Sequence, residues 1–255
     1  MVRKGFQYNS ILCVSKRMRL ALIVICFILN SGVHAQKEKP WNYKRFDERV
    51  LHFGFMLGFN TSDFTYYPVL NAYEQYGLKS LTSSSTPGGQ VGIVSTLKIG
   101  TPTVRLRFIP TLSFQERVLR YTFENPDPDA TKDIFNEERI NSTNLDFPLM
   151  FQFRTLRLNN FASYVLVGGQ YSIDLQSQES ASQSFTDPFI KLRKHDLQGQ
   201  VGAGVEFFAP YFKFGIELKY SHGFMNSLVQ DNTYISRPID RLYNKVWWIS
   251  FIFEG

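Results

Sequence analysis

Eight stretches of this chain place a large apolar side chain at every second position, and the connections between them alternate long and short. The first stretch is the cleanest. In Leu51-His52-Phe53-Gly54-Phe55-Met56-Leu57-Gly58-Phe59-Asn60 every odd position is large and apolar, and the even ones are mostly small or polar. Successive side chains of a strand point to opposite faces, so each stretch carries one greasy and one mixed face. The stretches fall at about 51–61, 89–99, 103–117, 143–154, 161–175, 195–208, 211–221 and 244–253. An even number of such strands, with short turns at one edge and long loops at the other, is the pattern of a closed antiparallel barrel in an outer membrane. The expected fold is therefore all-β: an eight-stranded, up-and-down transmembrane barrel with four long extracellular loops.

Residues 143–154 carry the clearest stripe, with Leu145, Phe147, Leu149, Phe151 and Phe153 in strict register. The opposite faces of the strands carry Lys98, Arg105, Arg107, Asp146, Arg154, Asp174, Glu206, Lys213, Glu217 and Lys219. In a soluble two-sheet sandwich those charges would face water and the stripes a core. The loop asymmetry, the even strand count and the aromatic last strand weigh for the barrel, as does an export signal. In hydrocarbon no edge strand can stay unpaired, so such a sheet must close. The interior of eight strands is only wide enough for side chains to fill. The charges are thus expected to form an ion-paired plug closed to ions, with inward glycines making room for the long side chains. Pro110 and Pro148 fall inside expected strands, where a bulge could absorb them.

The N-terminus reads as a targeting segment. Arg3, Lys4, Lys16, Arg17 and Arg19 precede an apolar run, Leu20 to Leu29, and then Val33-His34-Ala35. This predicts cleavage between Ala35 and Gln36. The expected organisation is a signal peptide at 1–35, a periplasmic segment at 36–50 and the barrel at 51–255. Removing the signal takes five of the 28 Lys and Arg and none of the 22 acids, leaving 23 bases against 22 acids. That balance gives no reason to expect nucleic acid. Cys13 and Cys26 also go, so stability has to come from burial and backbone pairing.

Little in the chain resembles catalytic machinery. His195 and His222 sit near the outer rim with Ser221, Ser227 and Asp196 nearby in sequence, but strand parity turns both rings toward lipid. A triad is defined by geometry, and that placement separates them from the inward charges. An acidic loop with Asp127, Asp129, Asp133 and Glu137 lacks the glycine turn and spacing of a calcium loop. No enzyme activity, cofactor or small-molecule substrate is expected; outer-membrane lipid is. Two connections, about 62–87 and 121–142, exceed the usual loop length and are candidate contact surfaces. The first carries Tyr66, Tyr67, Tyr73 and Tyr76, a residue type enriched where proteins bind one another.

Four segments together resemble a known family. Asn144-Leu-Asp-Phe-Pro-Leu-Met-Phe-Gln-Phe-Arg154 is similar to a strand of small outer-membrane barrels of the Bacteroidetes. Val201-Gly-Ala-Gly-Val-Glu-Phe207 resembles their Gly-x-Gly strand, and Tyr220-Ser-His-Gly-Phe224 their Tyr-Ser-x-Gly-Leu strand end. With His52 to Asn60, these make the chain look like the PorT family over residues 48–253. The resemblance implies a role in type IX protein secretion, with gliding motility in some members, and hence secretion-system proteins as partners. It brings no catalytic residues. Glu254-Gly255 departs from the family's usual terminal aromatic.

Overall fold

A computed structural model describes residues 42, 46–125, 132–179, 189–231 and 233–255. The expected cleavage pair Ala35 and Gln36 lies outside the described residues, as do Asp127 and Asp129. The strands are β1 Leu51–Pro68, β2 Leu78–Lys98, β3 Val104–Phe108, β4 Thr111–Phe123, β5 Ile134–Arg154, β6 Phe161–Asp174, β7 His195–Phe208, β8 Lys213–Gly223 and β9 Ile239–Glu254. A short helix, α1 (Ala72–Gln75), lies between β1 and β2. Every strand pair is antiparallel, and each strand of β5 to β9 pairs with the next. β1 pairs with both β2 and β9, Phe55 facing Ile93 on one side and Phe253 on the other. The sheet therefore has no end strand.

The expected third strand, 103–117, is two strands in line. β3 and β4 share the same neighbours, β2 and β5, without a change of register at the break: Phe108 and Thr111 face Ser95 and Gly92, then Leu149 and Asp146. Together they fill one of eight positions around the ring. The interruption at Ile109-Pro110 lies beside Pro148, whose carbonyl accepts from Ile109 N–H at 3.3 Å. Neither proline has an N–H to give, so the ladder lapses where two donors are missing. No extra residue is inserted there, which replaces the expected bulge with a break in an unshifted register.

The expected loops are corrected more strongly. Residues 62–68 belong to β1 and 78–87 to β2, so the connection 62–87 contracts to 69–77. The loop 121–142 contracts to 124–133, and the gap left between the expected strands 211–221 and 244–253 contracts to 224–238. The cause is a reversal of the alternation. Within the lipid band Phe53, Phe55, Leu57 and Phe59 point outward. Above it the outward residues are mostly polar, among them Thr61, Asp63, Arg120, Glu137, Arg139 and Arg241, while Phe64, Leu81, Leu119, Tyr121, Ile140 and Leu242 are buried inside. A search for an outward apolar stripe stops at that reversal and reads the rest as loop. The outward band of β1, Leu51 to Phe59, matches the roughly 9–11 residues a tilted strand needs to cross a membrane. The neighbouring strands β9, β1, β2, β4 and β5 continue upward as a wall.

Candidate functional site

The interior of the ring is the feature from which any function must be read. Its side chains lie in layers, because inward residues of neighbouring strands stand level with one another.

The lowest layer closes the mouth that holds the short turns. Phe46, fully buried, stacks on His52 at 3.8 Å and meets Phe208 edge-on at 5.7 Å. The Arg105 guanidinium and the Lys213 ammonium lie 5.0 and 4.6 Å from its ring centre. Asp47 pairs with Arg154 at 2.6 Å, Arg105 at 3.1 Å and Arg157 at 3.6 Å. Asn42 N–H donates to Asn160 Oδ1 at 2.8 Å. The described part of the expected periplasmic segment is thus a plug with an aromatic ring and a carboxylate.

Above the plug lies a charged layer. Arg107 pairs with Glu217 at 2.7 Å, Glu254 at 3.3 Å and Glu206 at 3.6 Å. Lys213 reaches Glu254 at 2.5 Å and Glu206 at 2.8 Å, and Arg154 reaches Glu206 at 3.4 Å. Gln152 Nε2 donates to Glu206 at 2.8 Å. Tyr164 carries Arg107 over its ring at 5.3 Å. Gly204 is required here, because a Cβ would come within 2.5 Å of Tyr164 Cζ and Oη. Next come apolar side chains: Met56, Val94, Ile109 and Ile252 in one cluster, Met150, Tyr164 and Leu166 in another. A layer of amides and hydroxyls follows, in which Asn244 and Gln198 donate to Asp196 at 2.7 and 2.9 Å. Arg117 donates to Ser142 at 3.3 Å and lies 5.1 Å from the Phe64 ring. An apolar lid closes the outer end, where Phe64, Leu81, Leu119, Tyr121, Ile140 and Leu242 of the wall pack with Ile190, Leu192, Leu228 and Ile235 of the β6–β7 and β8–β9 connections.

Of the ten expected lumen charges, the structure brings Arg105, Arg107, Arg154, Glu206, Lys213 and Glu217 together. Lys98 stands apart, its Nζ donating to the carbonyls of Asp47 and Glu48 at 3.1 and 3.3 Å. Asp146 accepts from Ser113 at 2.7 Å in a higher layer, and Asp174 accepts from the Gln176 amide at 2.9 Å near the outer end. Lys219 is buried and, among the described residues, has no ion pair within 4 Å. Sequence reading missed Asp47, Arg157 and Glu254; Arg117 it placed on the inward face of the third strand without counting it among the lumen charges. Glu254 was legible: it continues the inward parity of Val246, Trp248, Ser250 and Ile252. Asp47 was not, because no periodicity marks the plug.

The four tyrosines do not form one loop surface. Tyr66 and Tyr67 stand on β1; the Tyr66 hydroxyl donates to the Leu81 carbonyl against the lid. Tyr67 is half exposed and meets Tyr243 edge-on at 5.9 Å. Tyr73 is exposed on α1, and Tyr76, partly buried, follows its end. The rim histidines lie outside the wall. His195 Nδ1 is 2.8 Å from the Tyr171 hydroxyl, and His222 stacks near Tyr220 and Tyr243. Asp196 and Ser227 are buried inside and hydrogen-bonded to Asn244. The wall thus separates the groups a Ser/His mechanism would need side by side.

A closed up-and-down sheet with an outward apolar band and a filled polar interior defines an outer-membrane β-barrel. The family comparison is specific on this point: residues 34–229 match the family described as outer membrane protein beta-barrel domain, and the chain belongs to it. Similar solved structures are OprG from Pseudomonas aeruginosa (12% identity, TM-score 0.44, covering 80% of this chain and 92% of that one) and Ail from Yersinia pestis, solved with a heparin analogue (11%, 0.36, 81% and 100%). Neisserial surface protein A is a third (10%, 0.36, 78% and 95%). At TM-scores below 0.5 these likenesses add nothing to the family match. No curated protein matches the chain.

Proposed function

We propose that this barrel is a sealed, non-catalytic component that supports type IX secretion by docking or assembly, after export with cleavage between Ala35 and Gln36. One observation carries the sealed and non-catalytic part. Ion pairs, then apolar side chains, then hydrogen-bonded amides and hydroxyls fill the lumen between the Phe46 plug and the apolar lid, and the outer histidines face away from the inner carboxylates. The secretion part rests on the PorT-like segments at 52–60, 144–154, 201–207 and 220–224. The wall above the membrane and the connection over it supply the docking surface, with Tyr67 and Phe135 exposed on the strands and Leu70 and Tyr73 on the 69–77 connection.

Two measurements test the parts separately. In planar bilayers the pure protein should show no stable open state; a large steady conductance would overturn the sealed reading. Deleting the gene should trap secreted cargo in the periplasm while leaving the membrane barrier intact. Normal cargo secretion in the deletion strain would reject the secretion role. The second reading, a passive or adhesive barrel, would then stand, and it is favoured by the same rigid, aromatic-bearing wall.

A further inference from the structure

Above the membrane, β5 is paired along one side. β4 holds that side from Ile134 to Asp146. On the other side β6 ends at Asp174, level with Asn144. Two hydrogen bonds show which residues turn which way. The Leu175 N–H donates to the Thr143 carbonyl at 2.8 Å, so odd-numbered residues of β5 direct their backbone groups toward the β6 side. The Arg154 N–H donates to Thr103 at 2.8 Å, so even-numbered residues face β3 and β4. A strand residue sends its N–H and C=O the same way in an antiparallel ladder. Phe135, Glu137, Arg139 and Asn141 therefore present N–H and C=O groups in a row that no described residue pairs with. A groove of about 570 Å³ runs beside Arg139 and Asn141, bounded on β5 by Glu138 to Asn141 and opposite by Gln176, Phe189, Ile190 and Leu192, with the Ile190 N–H donating across it to the Glu138 carboxylate at 3.1 Å.

We infer that this edge is a strand-acceptor site. An extended segment of a partner protein adds to β5 there, running antiparallel to it as an upward continuation of β6. The chemistry names the occupant. A row of alternating backbone donors and acceptors is matched by another extended chain. The groove asks that chain for alternating character: apolar residues over Ile140, Ile190 and Leu192, polar ones beside Glu137 and Arg139. A second copy fits poorly, because two copies in one membrane point the same way and could join β5 to β5 only in parallel. The inference concerns the edge alone and does not depend on the secretion reading.

The test uses the full-length protein in lipid nanodiscs and the synthetic peptide Ser-Val-Thr-Val-Thr-Ile-Ser as probe, with amide exchange followed residue by residue. In the free protein the amides of Glu137, Arg139 and Asn141 should exchange fast, and the peptide should slow them by about tenfold or more. The amides of Glu138 and Ile140, bonded to β4, should be slow throughout. Arg139→Pro removes an N–H that no barrel bond uses, so the barrel should persist and the peptide effect vanish. Arg139→Ala loses the exposed ion pairs to Glu137 and Glu116 but keeps the N–H, and should bind as the parent does. Asn141→Pro repeats the test one pair along. Slow exchange at 137, 139 and 141 without peptide would overturn the inference, because the chain would then cover its own edge. Absence of peptide protection in the parent protein, or protection that survives both prolines, would overturn it equally.

Discussion

Replacing Arg107 with methionine is expected to destabilise the barrel by about 3–5 kcal/mol, the cost typical of stranding a buried charge. Arg107 is 1% exposed and sits among Glu217, Glu254 and Glu206. Lys213 still serves Glu206 and Glu254 in the variant, but among the described residues Arg107 is the one ion-pair partner of Glu217. The penalty should therefore fall mainly on Glu217. Adding Glu217→Gln should restore part of the loss, since the second change removes the stranded charge and leaves a group of nearly the same shape. Urea titration of the refolded protein in lipid vesicles measures both variants. A single-variant cost under about 1 kcal/mol would mean that water reaches the charged layer and that the lumen is not packed. A double variant no better than the single would place the cost in lost packing against Tyr164 instead.

The periodicity of two made the lipid band legible because it is imposed by the solvent: every outward residue from Leu51 to Phe59 on β1, or from Leu145 to Phe153 on β5, meets hydrocarbon. Inward placement of Arg105, Arg107 and Glu206 follows from the same parity. What parity cannot give is height. Asp146 and Asp174 share the inward face with Glu206 yet lie in other layers, and their partners are hydroxyl and amide groups. The upper wall was illegible for a different reason: its alternation is inverted, with Arg120 out and Tyr121 in, as in a water-soluble sheet. The break at Pro110 needed long-range information, since it is matched by Pro148 on the paired strand. The plug has no signal at all in local pattern. Phe46 and Asp47 acquire their meaning only from His52, Arg105, Arg154 and Phe208, brought together by closure of the ring.

Leu149→Arg separates a membrane barrel from a soluble look-alike. Leu149 points outward, midway along the outward stripe of β5, and faces Phe108 and Gly169 on its neighbours. If that face meets hydrocarbon, an arginine near the midplane should cost about 2–4 kcal/mol. The same change at Thr143, at the top of the stripe, should cost about 0–1 kcal/mol, because the guanidinium reaches the interface there. In a water-soluble barrel of the same closure, with the outward wall turned to water, a Leu→Arg change there should shift stability by only about 0.5 kcal/mol either way. The neighbour Met150 supplies the opposite control. It is 1% exposed and packs with Tyr164 and Leu166, so Met150→Leu should cost less than about 1.5 kcal/mol. The informative quantity is the gradient between positions 143 and 149, measured by urea titration in vesicles. A steep gradient is a property of the lipid and not of the protein's own packing, since both residues face away from the lumen. Equal costs at the two depths, near zero for a stripe turned to water and large for one covered by protein, would remove the hydrocarbon assignment of β5.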